Sequence, residues 1–252
     1  MANALIRPLP ATFDKALVRQ GRPHIDVALA RAQHGTYRNH LEAAGYLIEE
    51  VPADPEYPDS VFIEDTAVIV GSTAVITRSG APSRRGETGP VAVALREHFS
   101  LVEIEAPGTI DGGDVFIMGH TAYVGRSGRT NQEGIEQLRS VATEQGIGVI
   151  VVGVHDALHL KSVVLPVDDE TVVVTSDAVE EAALKGLRLV YEAGSERHRF
   201  SALPLRDGRL LVTVSAPGTA ADLEAHGYDV VPIDVSQIQI ADGGLTCMSI
   251  LF

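Results

Sequence analysis

The chain has 252 residues, 45% hydrophobic and 21% charged, enough to bury a sizeable core in one large domain or two small ones, with no low-complexity tract. Its net charge of −14 argues against nucleic acid and anionic membranes as partners, because both reward basic patches. The single cysteine, Cys247, excludes an intramolecular disulfide; with no signal-peptide pattern and no apolar run of the ~18 residues a membrane span needs, a cytoplasmic location is expected.

Ala4–Leu9 reads as a strand, Ile25–Ala44 as a helix and Leu47–Val51 as a second strand. A hairpin follows, Thr66–Val70 with Ala74–Thr77, then a helix at Val91–Phe99 and a strand at Leu101–Glu105. The second hairpin is Val115–Met118 with Thr121–Val124, backed by a helix at Gln132–Gln145 and a strand at Gly148–Val152. The third is Ser162–Val167 with Thr171–Val174, followed by a helix at Ala178–Leu187 and a strand at Arg188–Tyr191. The fourth is Ser201–Leu205 with Arg209–Val214, followed by a helix at Thr219–His226 and a strand at Asp229–Pro232. Leu245–Phe252 supplies one last apolar strand.

Hairpin, helix, strand recurs four times, with hairpin starts 49, 47 and 39 residues apart. A period of this size marks propellers and arrays. The final strand has only Ala4–Leu9 left to pair with, so the two termini close a fifth unit. The expectation is an α/β fold: a five-bladed pseudo-symmetric propeller of ββαβ repeats, one domain spanning residues 1–252.

A polar cluster that a strand pattern does not require precedes most hairpins. These are Pro58-Asp59-Ser60-Val61-Phe62-Ile63-Glu64-Asp65, Asp111-Gly112-Gly113-Asp114, His155-Asp156-Ala157-Leu158-His159-Leu160-Lys161 and Asp242-Gly243-Gly244-Leu245-Thr246-Cys247. Taken singly, each has a plainer reading. Cys247 is a small core residue, as most free cysteines are; the Asp-Gly-Gly-Asp run is a turn; His159 is a structural histidine with His155 as a rival; Arg84 and Arg129 are surface charge. Their phase argues otherwise. Asp65 to Asp111 is 46 residues, Asp111 to His159 is 48, and His159 to Cys247 is 88, two further steps. Equivalent strand positions of a closed propeller converge on one end of its axis, which gathers a nucleophile, a base and several acids. Several carboxylates around a cysteine suit a planar cation with many N–H donors, a guanidinium, and the arginines then suit the far carboxylate of an amino-acid substrate.

These clusters, with Ile76-Thr77-Arg78, Ser83-Arg84-Arg85-Gly86-Glu87-Thr88, Ala106-Pro107-Gly108-Thr109, Gly128-Arg129-Thr130-Asn131 and Leu158-His159-Leu160-Lys161-Ser162, resemble the dimethylarginine dimethylaminohydrolases of the guanidino-group-modifying (pentein) superfamily. The resemblance runs through most of the chain and carries the same five-bladed fold. It implies Cys247 as nucleophile, His159 as general acid and base, and Asp111 as the acid orienting the histidine. It implies Glu64 and Asp65 as guanidinium ligands, Arg84 and Arg129 on the substrate carboxylate, and Leu17, Asp59 and the Ala241 backbone around the amino-acid end. Arginine deiminases of the superfamily carry an acid two residues after the histidine; Lys161 stands there, which favours an already alkylated guanidinium.

The implied reaction is hydrolysis of methylated arginine to citrulline through a Cys247 thiouronium, with no cofactor, a small cationic guanidino amino acid as partner, and a homodimer allowed for. Surrounding carboxylates should keep the thiol protonated until the substrate cation arrives. The alternatives are another guanidino-modifying activity (a deiminase or amidinotransferase), a metallohydrolase built on the acids and His159, and a non-catalytic binding propeller.

Overall fold

The computed structural model describes residues 2–19, 21, 24–196 and 200–252. Each blade begins where an apolar run doubles back on itself and then crosses over. The blade completed by the last strand contains β1 (Asn3–Ile6), α1 (Val27–Ala43) and β2 (Leu47–Glu50). The Asp26 carboxylate starts α1 by accepting the N–H groups of Ala28 and Leu29, and Gly45, with φ +84°, ends it. The next blade is β3 (Ala67–Val70), β4 (Thr73–Ile76), α2 (Thr88–Leu95) and β5 (Ser100–Glu103). Then come β6 (Val115–Met118), β7 (Thr121–Arg126), α3 (Gln132–Glu144) and β8 (Gly148–Gly153), with Asn131 capping α3 through Gly134 N–H. The following blade has β9 (Val164–Pro166), β10 (Thr171–Val174) and β11 (Arg188–Tyr191). After it come β12 (Ala202–Pro204), β13 (Arg209–Thr213), α4 (Pro217–Ala225) and β14 (Asp229–Ile233). A short α5 (Ser236–Ile240) leads to β15 (Ser249–Leu251).

The strands form five three-stranded sheets: β3-β4-β5, β6-β7-β8, β9-β10-β11, β12-β13-β14 and β15-β1-β2. In each, the first pair is antiparallel and the second parallel. The C-terminal strand closes the ring on the N-terminal one, with Ala4 opposite Leu251 and Ile6 opposite Ser249. Five apolar clusters fill the spaces between successive blades; Val68 and Val75, for example, pack with Val115, Ile135 and Leu138 of the next blade. The first two strands of each sheet are therefore covered on both faces, and strands such as Thr171–Val174 are buried along their whole length rather than on alternate residues, whereas third strands such as Ser100–Glu103 stay largely exposed. No helix among the described residues is long and apolar enough to cross a membrane.

The propeller, its order and its terminal closure match the expectation. Three local expectations do not. No α-helix forms at Ala178–Leu187, only one 3-10 turn at Glu181–Leu184. Val179 is drawn into a bridge with Val154 and Glu180 N–H into a bond with Gly153 O, and Gly186 turns the chain at φ +102°. Too few residues remain for a helical nucleus to repay its cost. The helix expected at Val91–Phe99 lies earlier, at Thr88–Leu95, because Pro90 falls in its first turn, where a missing N–H costs nothing. Leu245–Phe252 is not all strand: Thr246–Met248 is a 3-10 turn, and Cys247 sits in it.

Candidate active site

Each polar cluster becomes a short 3-10 turn at the head of a blade's first strand. These are Ile63–Thr66 before β3, Gly112–Asp114 before β6, Leu160–Ser162 before β9 and Thr246–Met248 before β15. Glu64 and Asp65 lie within the first, Asp111 and His159 immediately precede the second and third, and Cys247 is central to the fourth. These four turns lie at the same end of their strands and come together around one site. His159 and Cys247 line one cleft together with Glu64 and Lys161. A narrower recess beside it is lined by Leu17, Asp59, Asp65, Arg84, Arg129 and Ala241, again with His159 and Cys247. Asp111, wholly buried, stands behind His159. Every expected site residue is thus in one place.

His159 is 4% exposed, and its Nε2 lies 3.1 Å from Asp111 Oδ2, while its Nδ1 lies 3.9 Å from Asp65 Oδ1. Burial alone would lower the imidazole pKa, but Asp65, Asp111 and Asp114 outweigh it and raise the value to about 9. The same contacts act on Asp111 in reverse. Burial pushes its carboxyl up, and His159, Arg84 and Arg129 bring it down to about 2. Arg129 Nη1 shares Asp111 Oδ2 with the histidine at 3.1 Å, and Gly80 N–H donates to Oδ1 at 3.0 Å. The pair is an imidazolium held by a carboxylate.

Cys247 is half-buried, and Gly244 N–H donates to its Sγ at 3.3 Å. Burial, then Glu64 and Asp65, push the thiol up to about 12, so it is protonated at neutral pH. Burial also raises Glu64, opposed by Lys161, whose Nζ lies 2.5 Å from Glu64 Oε1; Thr246 Oγ donates to Oε2 at 2.9 Å. Asp59 is raised by burial against the pull of Arg84, and its Oδ1 accepts Leu17 N–H at 3.0 Å, tying the loop after β1 to the site.

Arg84 differs from a surface arginine in every respect. Its Nη1 lies 2.6 Å from Asp65 Oδ2, its Nε and Nη2 form a fork on Glu87, and Nη2 also reaches Phe62 O at 3.2 Å. It fixes Asp65 in place as well as bordering the recess. Glu87, the partner of Arg84, is a site residue beyond those expected, and the spacing of three residues is its only signal in the sequence. The ion pair of Lys161 with Glu64 joins positions 97 residues apart and leaves no local trace.

Ligand atoms of Asp65, Asp111 and His159 lie within 4.8 Å of one another. A hard cation there would sit against the Arg84 and Arg129 guanidinium groups already paired with both carboxylates, so the arrangement favours an imidazolium over a metal.

A family model described as arginine deiminase matches residues 33–199. An N(G),N(G)-dimethylarginine dimethylaminohydrolase from Streptomyces coelicolor is 38% identical over 250 residues, 98% of this chain and 96% of that one. The enzyme of that name from Pseudomonas aeruginosa is 31% identical over 234 residues, 92% of this chain and 91% of that one. A solved structure of the Pseudomonas aeruginosa protein, a cysteine-to-serine mutant complexed with citrulline, superposes with a TM-score of 0.94 at 28% identity, covering 99% of this chain and 98% of that one. With this fold, these turns and these relatives, the chain belongs to the dimethylarginine dimethylaminohydrolase family, within the wider family of the arginine deiminases.

Proposed function

We propose that the 1–252 chain acts as one catalytic domain that hydrolyses N-omega-methylated arginines, asymmetric dimethylarginine and monomethylarginine, to citrulline and methylamines. The observation that carries the reading is that Cys247 and His159 line both the cleft that holds Glu64 and the adjoining recess that holds Asp65. The guanidinium lies between the two carboxylates. Its charge offsets theirs, and Cys247 releases its proton to solvent as the substrate binds, His159 being already protonated. The thiolate forms a bond to the guanidinium carbon. The C–N bond to dimethylamine breaks as the His159 imidazolium hands its proton to the departing nitrogen, leaving a thiouronium on Cys247. Neutral His159 then takes a proton from water as the hydroxide attacks the same carbon; the C–S bond breaks, and the hydroxyl proton of the departing citrulline returns to the Cys247 thiolate. Asp111 holds His159 throughout; Arg84, Arg129, Asp59, Leu17 and the Ala241 backbone surround the amino-acid end. A working free thiol fits a reducing compartment such as the cytoplasm.

A deiminase acting on unmethylated arginine is the nearest rival, and the family model that matches carries that name. The Lys161–Glu64 pair argues for the methylated substrate. Lys161 and Thr246 occupy one oxygen each of Glu64, leaving fewer acceptor sites for a guanidinium that brings all five N–H donors. A dimethylated guanidinium brings three. The experiment is turnover of dimethylarginine and arginine side by side, with dimethylamine, ammonia and citrulline measured. Dimethylamine from the first at far higher kcat/KM supports the reading; ammonia from arginine at equal or higher kcat/KM replaces it with deimination.

A further inference from the structure

The blades that carry His159 and Cys247 are each preceded by a blade whose own role is unassigned at one position. Asp114 directly precedes β6, and Ser201 directly precedes β12, so the two occupy equivalent places in the second and fourth repeats. Both are buried, and both reach sideways to the next blade. Asp114 Oδ1 accepts the N–H of Leu160 at 2.8 Å, the residue after His159. Ser201 Oγ accepts the N–H of Leu245 at 2.8 Å, two residues before Cys247. Elsewhere in the ring other side chains make similar crossings: Asp65 Oδ1 accepts Gly113 N–H at 2.9 Å, and Thr246 Oγ donates to Glu64.

We propose that Ser201 and Asp114 are positioning residues that set the catalytic turns of Cys247 and His159 from the neighbouring blade. The proposal rests on the reading of those two residues as nucleophile and acid.

The Ser201 contact is the more direct. A side-chain carbon on Gly244 would lie 2.6 Å from Ser201 Oγ, so the hydroxyl is pressed against the backbone that carries Gly244 N–H. That N–H is the donor to Cys247 Sγ, and a donor aimed at sulfur favours the thiolate over the thiol. Ser201 therefore holds the donor residue and the one after it: it packs against Gly244 and bonds Leu245. Removing its hydroxyl leaves Leu245 N–H, on a residue with no exposed surface, without an acceptor. The turn must shift to find one, and the Gly244 donor shifts with it. Asp114 does the same for His159 through a stiffer anchorage, since its Oδ2 is itself fixed by Ser127 Oγ at 2.6 Å and Thr130 Oγ at 2.7 Å. The fourth blade, which supplies none of the expected site residues, enters the site in this way.

The test uses full-length Ser201→Ala and Ser201→Thr, with kcat and KM for dimethylarginine and the pH profile of Cys247 alkylation by iodoacetamide. Ser201→Ala should lower kcat about tenfold with KM changed less than about twofold, and move the alkylation profile to higher pH. Ser201→Thr, which keeps the acceptor, should restore both to within about threefold. A Ser201→Ala protein that melts earlier but keeps its kcat and alkylation profile overturns the proposal. Amide hydrogen exchange on the unaltered protein gives a reading that depends on no variant folding. Leu160 and Leu245 should exchange far more slowly than exposed Gly128, and exchange of both at the Gly128 rate contradicts the proposal. Failure of the unaltered protein to turn over dimethylarginine would fall on the functional reading alone, because alkylation and exchange still report the turn.

Discussion

Asp111 Oδ2 and His159 Nε2 lie 3.1 Å apart in a site with no exposed surface on the carboxylate, and Arg129 reaches the same oxygen. The acid is held ionised and the imidazole is held protonated, which is the state needed to release an amine. Asp111→Asn should therefore lower the His159 pKa from about 9 and move the basic limb of the kcat/KM profile down by at least about one pH unit, with kcat falling on the order of a hundredfold. A pH–rate profile on both proteins checks this; an unmoved basic limb would show that His159 is not the group titrating there.

The same pair makes a statement about stability. His159 has its folded value raised above 6.5, so its stabilising contribution is fully present below pH 6.5 and disappears as pH rises through about 9. Asp111 has its value depressed to about 2, so its contribution is present above its unfolded value of about 3.8 and disappears as pH falls through about 2. Resistance to urea should accordingly fall between pH 6.5 and 9, and His159→Gln should flatten that decline. A slope unchanged in His159→Gln assigns it to other groups.

Lys161→Met should leave Glu64 buried without its cation. The carboxyl then favours its neutral form and no longer offers a charged acceptor to the guanidinium. The expected outcome is a rise in KM for dimethylarginine of about tenfold or more, the size of one charge-assisted hydrogen bond, measured beside a melting curve to confirm folding. Unchanged KM in a folded Lys161→Met protein would remove Glu64 from guanidinium binding.

Deleting Ser249–Phe252 should abolish the fold as well as activity. β15 is the inner strand of the fifth sheet, and Ile250 packs against Leu5 and Ile63 in the cluster joining the fifth blade to the next. Loss of the cooperative melting transition is expected. A truncated protein that still melts cooperatively would show that the ring closes without this strand.

The ring was legible because its signals are local and repeated. The alternation of hairpin and crossover can be read without knowing where the chain goes. The phase of Asp65, Asp111, His159 and Cys247 then places them together, since pseudo-symmetry turns sequence spacing into spatial convergence. The 3-10 turns that present them are too short to have a period, which is why Cys247 was read as strand. The third crossover failed for a non-local reason, the Val154–Val179 bridge. Arg84 with Glu87 and Lys161 with Glu64 show a related limit. Composition reveals that charges exist, but only packing decides which are buried together.

The central claim is that Cys247 is the nucleophile of a dimethylarginine hydrolase. The most direct measurement is citrulline and dimethylamine release from asymmetric dimethylarginine by the unaltered protein and by Cys247→Ser, with binding followed separately by calorimetry. Citrulline and dimethylamine in equal amounts from the unaltered protein, with none from a Cys247→Ser protein that still binds, is the expected result. Undiminished turnover by Cys247→Ser, or none by the unaltered protein, would contradict it.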